Sequence, residues 1–134
     1  MKLKVEIEDN SEKFKQELER KMPEILNAMG NELYKSIYDY MTVEDIVDTG
    51  RLRGSISYAT KYNKYNQPTI MNKPEDFITQ NTEDKTVLYG SNVEYASYVE
   101  TGTSKQKARN FIKNGTYRAI PRLEKVVENI LKEE

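Results

Sequence analysis

Four carboxylates crowd one stretch of the chain: Asp39, Glu44, Asp45 and Asp48, with no basic residue between positions 39 and 48. Oxygen ligands of this kind can hold a hard cation. They lack the ligand spacing and the glycine of a calcium loop, so the plainer reading is a solvated acidic linker. Ser55, Ser57 and Ser104 offer hydroxyls, but the chain contains no histidine and no cysteine. The base of the usual serine triad, the commonest metal ligand and every thiol nucleophile are therefore missing. Ser104 and Lys105 are neighbours in sequence, and adjacency alone does not make a serine–lysine pair. No glycine-rich phosphate loop is present.

Ten tyrosines and no tryptophan stand out. Tyrosine combines apolar area with a polar tip, which suits wet interfaces. Tyr58, Tyr62 and Tyr65 interleave with Lys61 and Lys64. That pattern fits base stacking, and equally a sheet face with one polar edge. Residues 103–125 carry seven basic side chains against the single acid Glu124, a net charge of +6. Whole-chain charge is −1, so any pull on nucleic acid has to come from that segment.

The elements that position these groups follow from periodicity. Leu3, Val5 and Ile7 alternate with polar residues and predict a half-buried strand over 2–8. Asp9 and Glu12 have the spacing of a capping pair. A stripe of Phe14, Leu18, Met22, Ile25, Leu26, Met29, Leu33, Ile37 and Met41 predicts one long amphipathic helix, kinked or divided at Pro23. Gly50 punctuates the chain, and alternation through Ile56, Tyr58, Thr60 and Tyr62 predicts a strand. Residues 63–85, rich in Asn, Gln, Lys, Thr and Pro, are expected as a long mobile loop with a short strand near Ile70. A short β run covers residues 86–89 and closes at Gly90. Ser91 and Glu94 then form a capping box for a short helix over 95–103, stopped by Gly102, with Tyr95 or Tyr98 partly buried. Residues 103–115 are expected as a basic loop. The terminal helix places Ile120, Leu123, Val126, Val127, Ile130 and Leu131 on one face, with Pro121 in its first turn.

This order predicts a single α+β domain over 1–134. A small antiparallel sheet would carry the long N-terminal helix and the C-terminal helix on one face. Nothing in the N-terminal ten residues resembles a signal peptide, and no stretch is apolar enough to span a membrane. The expectation is a soluble, intracellular product with no cofactor.

Two blocks resemble a known family. Residues 89–112, YGSNVEYASYVETGTSKQKARNFI, match a "YA-x-Y-V-E-x-GT" helix, a basic stretch and an "A-R-x-F" entry to the last helix. The matched positions are Tyr95, Ala96, Tyr98, Val99, Glu100, Gly102, Thr103, Ala108, Arg109 and Phe111. Upstream, DTGRLRGSI resembles a "TG-x-L-x-x-S-I" turn at Thr49, Gly50, Leu52, Ser55 and Ile56. Together the blocks are similar to the bacteriophage tail-component family, which includes tail-completion and head–tail joining proteins of long-tailed phages. Asn110 stands where that family often has proline, so the entry to the last helix is expected to be looser.

The resemblance implies a non-enzymatic virion structural protein of a tailed phage or prophage, made in the host cytoplasm and located in the tail or neck. It implies self-association into a ring, often of six subunits. It also implies contact with connector, head-completion and tail-tube proteins, and non-specific contact with DNA in the channel. Asp39, Glu44, Asp45 and Asp48 are then candidates to meet Lys105, Lys107 and Arg109 of a neighbouring copy, provided the fold leaves the two segments on different faces. The alternative reading is a small nucleic-acid-binding protein using residues 103–125.

Overall fold

A computed structural model describes residues 1–5, 12–46 and 50–132 of the chain. The elements run β1 (Lys2–Lys4), α1 (Glu12–Val43), α2 (Arg51–Gly54), β2 (Ser57–Ala59), β3 (Lys64–Asn66), a 3₁₀ turn (Pro74–Asp76), β4 (Thr86–Gly90), α3 (Ala96–Thr101) and α4 (Phe111–Lys132). The four strands pair antiparallel throughout, in the order β1-β4-β2-β3. The fold is α+β, with α1 packed against both the sheet and α4.

The apolar stripe of α1 does what its spacing dictates. Leu18, Met22, Ile25, Leu26, Met29, Leu33, Ile37 and Met41 are all buried. The helix runs through Pro23 as one element, so of the two outcomes expected there the division does not occur. Pro23 is exposed, and on the solvent side the carbonyl it frees can be met by water. The strand expected over 2–8 is seen at 2–4 and has ended by Val5; residues 6–8 and the Asp9 cap lie outside the described residues.

Three helix–helix and helix–sheet contacts set the spacing of the layers. Tyr58 lays its ring on Gly30, where an added Cβ would come within 2.4 Å of ring carbons, and its hydroxyl donates to Asn27 Oδ1 at 2.7 Å. Gly115 of α4 sits against Ile37, and Ser36 Oγ donates to the Gly115 carbonyl at 2.6 Å. The buried Lys21 donates to the Ile130 carbonyl at 2.8 Å, satisfying an orphan acceptor in the last turn of α4.

The terminal helix is longer than periodicity predicted. It starts at Phe111, so Pro121 lies in its interior rather than its first turn, on the exposed side. Ile120 is 40% exposed, not part of the core face. The buried residues of α4 are Phe111, Gly115, Thr116, Ala119, Leu123 and Ile130, and Val126, Val127 and Leu131 pack half-buried against the core as expected. Small residues form its first half because α1 approaches closely there.

The strand expected through Tyr62 ends at Ala59. Thr60 and Asn63 close a tight turn, with Thr60 N donating to Asn63 O at 2.7 Å. Residues 63–85 are not one irregular loop: they contain β3 and the 3₁₀ turn. No strand forms near Ile70, which sits in a turn. Tyr65 stacks on Tyr58 at 5.6 Å and meets Tyr34 edge-on at 5.1 Å. Burial pushes the Tyr34 and Tyr58 hydroxyls up to about 12. Of the tyrosines in the 58–65 series, Tyr62 is the most exposed, at 50%.

Candidate functional site

The second sequence block folds as a clamp between α3 and α4. The Arg109 N–H donates to Val99 O at 2.8 Å and the Asn110 N–H to Glu100 O at 3.0 Å. The Glu100 carboxylate then accepts from Ile112 N at 2.7 Å and Lys113 N at 3.1 Å. A side chain from a different helix thereby satisfies two orphan donors at the start of α4. Gly102 has φ +80° and lies so near Ala108 that a Cβ would be 2.7 Å from its backbone nitrogen. Thr103 and Gln106 close the tip by mutual backbone bonds of 2.8 and 3.3 Å. Lys105 and Lys107 are exposed on that tip.

Two expectations change here. Asn110 has φ +47°, a conformation that proline cannot adopt and asparagine tolerates. The helix entry is therefore closed by Glu100 rather than loosened. Ser91 does not cap α3: its hydroxyl accepts from Val93 N at 3.0 Å, and α3 begins at Ala96 after an uncapped Tyr95. Gly102 does terminate α3, as expected. Tyr95 is half-buried against the core and Tyr98 is 58% exposed. Replacing Glu100 by alanine should lower stability by about 1 kcal/mol and increase amide exchange at Ile112 and Lys113. Unchanged exchange there would show that the cap does not hold α4.

The first block turns at Gly50, φ +79°, and buries Leu52, Ser55 and Ile56. Thr49 and Asp48 lie outside the described residues. Ser55 Oγ is 2.5 Å from Ser91 Oγ, joining this block to the loop after β4. Arg51, which the motif leaves unspecified, is the node of the region. It donates to Asp76 through Nε at 3.2 Å and Nη2 at 2.9 Å, and to Glu94 through Nη1 and Nη2 at 2.8 Å each. Its guanidinium lies 5.6 Å from the Tyr95 ring centroid. Asp76, with a side chain 1% exposed, also accepts from Lys73 N at 3.0 Å and Asn72 Nδ2 at 3.1 Å.

The Arg51 guanidinium, followed by these N–H donors, holds the Asp76 carboxyl well below the usual carboxylate range. A depressed native value makes the charged form stabilising. That stability is complete above the unfolded Asp range of about 4 and is lost as pH falls through the native value. Acid titration of unfolding midpoints should show a decline below about pH 4 that is smaller in Asp76→Asn. An identical decline in the variant would remove Asp76 as its source.

The two blocks meet around an open groove of about 720 Å³. Leu52 comes from the first block; Tyr95, Tyr98, Val99, Thr103 and Arg109 come from the second. Arg109 Nη2 donates to Glu44 O at 2.8 Å, and Asp45 lines the same groove. The acidic turn and the basic segment thus adjoin within one chain. The condition that they lie on different faces fails for Arg109. Asp39, Glu44 and Asp45 are exposed. Sequence reasoning missed Arg51 and Asp76 as partners, since they are 25 residues apart and neither spacing nor periodicity connects them.

Among the described residues, no group of three or more His, Cys, Asp or Glu side chains converges as a metal site, and no helix is long and apolar enough to cross a membrane. Arg118 stacks on Tyr40 at 4.8 Å and Arg122 pairs with Glu32 at 3.1 Å, so part of the basic segment is engaged internally.

A family profile described as "Bacteriophage HK97-gp10, putative tail-component" matches residues 6–102. The chain belongs to this HK97-gp10-like family of phage tail components. It is a tail-related structural component, with a place in the virion and contacts to other phage proteins. Searches of curated proteins and of solved structures found no match.

Proposed function

We propose that the protein is a non-enzymatic, ring-forming subunit at the head–tail interface or tail end of a tailed phage. It would act through contacts with its own copies, with connector or head-completion proteins and with the tail tube. The observation that carries this reading is the convergence of both family blocks on one groove, where Tyr98 stays 58% exposed. Aromatic residues with a polar tip are favoured at interface cores. A ring of six requires a heterologous contact that closes by rotation.

Lys105 and Lys107 serve this assembly as orienting charges. Exposed pairs contribute roughly 0–1 kcal/mol each, so they act on docking rate more than on affinity. Arg109 is left out of this role because it secures the chain's own Glu44 turn. Reversing Lys105 and Lys107 to glutamate should slow association at low salt while the subunit stays folded. Sedimentation velocity across protein concentration is the direct test. A wild type that remains monomeric at every concentration, yet binds DNA with a steep salt dependence, would replace the ring reading with nucleic-acid binding.

A further inference from the structure

The terminal helix carries a stripe on its solvent side. Lys113, Tyr117, Ile120 and Glu124 are all exposed, Tyr117 at 62%. They are spaced by four, three and four residues along α4, so they share one helix face. The same spacing is that of the seam between two helices packed along their length. Among the described residues, no side-chain hydrogen bond or ion pair engages the Lys113 ammonium, the Tyr117 hydroxyl or the Glu124 carboxylate. Arg118 and Arg122, by contrast, are turned toward α1, one over the Tyr40 ring and the other paired with Glu32.

The order of the stripe selects its partner. It reads cation, aromatic, aliphatic, anion, and reversed it is its own complement. Against a second copy running the opposite way, Lys113 faces Glu124 and Tyr117 faces Ile120. Both pairs share one midpoint, between Arg118 and Ala119, so a single register makes them all. A copy running the same way would set Lys113 on Lys113 and Glu124 on Glu124, and facing like charges repel. In the antiparallel pair the apolar side chains meet at the centre and the charges flank them, as in an interface with an apolar core and a polar rim.

We infer that α4 pairs antiparallel with α4 of a second copy through Lys113, Tyr117, Ile120 and Glu124. The contact is isologous and closes at two copies. It is separate from the heterologous contact that a ring requires, and it uses neither Lys105 nor Lys107. A standard interface holds about 20–30 residues a side. A single helix stripe is far smaller, so this dimer is weak and fills at high protein concentration. Its charge pairs set direction and register more than strength.

Charge reversal followed by sedimentation equilibrium tests it. Lys113→Glu makes both ends of the stripe acidic, and Glu124→Lys makes both basic. Each variant alone should dimerise about tenfold more weakly than wild type, because two exposed pairs in every dimer turn repulsive. An equal mixture of the two should dimerise as wild type does, since opposite charges again face each other. The double variant should recover as well, its stripe being self-complementary once more. The absence of cysteine from the chain allows a second readout. Lys113→Cys and Glu124→Cys, mixed, oxidised and run without reductant, should cross-link to a dimer. Each alone should stay monomeric, because identical positions lie about 16 Å apart along the helix axes in this register. Four results each overturn the inference: a wild type that stays monomeric at the highest concentration, undiminished dimers in both reversals, no recovery in their mixture, or a cross-linked dimer from either cysteine variant alone.

Discussion

Replacing Gly115 by alanine is expected to destabilise the protein, although alanine is the better helix former by about 0.8–1 kcal/mol. Gly115 lies within α4 where that helix packs against Ile37 of α1. An added Cβ would come within 2.6 Å of Ile37 Cγ1 and 2.7 Å of Ile37 Cα. A flexible side chain could move aside, but a backbone atom moves only with its helix. Shifting α1 would also stretch the Ser36–Gly115 hydrogen bond. Overpacking of a tight core typically costs about 1–3 kcal/mol and sometimes more, which exceeds the propensity gain. Chemical denaturation should show a lower midpoint, and Ile37→Val should not restore it because the Cα conflict remains. A midpoint that rises in Gly115→Ala would show that α4 is not pressed against α1 here.

The second large effect concerns Arg51. Changing it to methionine keeps much of the stem but leaves Asp76 buried without its cation. Removing one member of a buried pair is far more damaging than removing both. The single variant should lower Tm by on the order of 10 °C. Arg51→Met combined with Asp76→Asn should recover a substantial part of that loss. Glu94→Gln should have a small effect, since the Glu94 side chain is 70% exposed and exposed pairs contribute little. Equal losses in Glu94→Gln and Arg51→Met would mean that the surface limb, not the buried one, carries the node. The same variant should free residues 72–78, because Asp76 also holds Lys73 N and Asn72. Faster amide exchange confined to residues 72–78 is the expected signature.

How far the sequence spoke depended on the range of the interaction. The α1 stripe was legible because helix burial repeats every three or four residues, and each of its eight large residues from Leu18 to Met41 is buried. β4 and the Gly102 stop of α3 were legible for the same local reason. The two blocks were visible as residue patterns, and the family profile spans residues 6–102, so Thr103, Ala108, Arg109 and Phe111 of the second block lie beyond it. What lay outside reach were features made by remote neighbours. The first half of α4 was hidden because, after Phe111, its core face is Gly115, Thr116 and Ala119, small or polar residues that carry little hydrophobic signal.

By itself, the sequence determined the α+β class, the long amphipathic helix, the absence of histidine and cysteine chemistry, and the family. The class, the helix and the missing chemistry rest on composition and on spacings of a few residues; the family rests on the resemblance of two motif blocks. Only the tertiary structure decided that both blocks share one groove, that Glu100 caps a different helix, and that Arg51 pairs with Asp76. It alone brought Arg109 onto the acidic turn at Glu44 and presented Ile70 to solvent. The physical reason is common to all of them. A local period records which side of an element is apolar, whereas the partner of a charge or hydrogen-bonding group depends on where the chain returns after tens of residues.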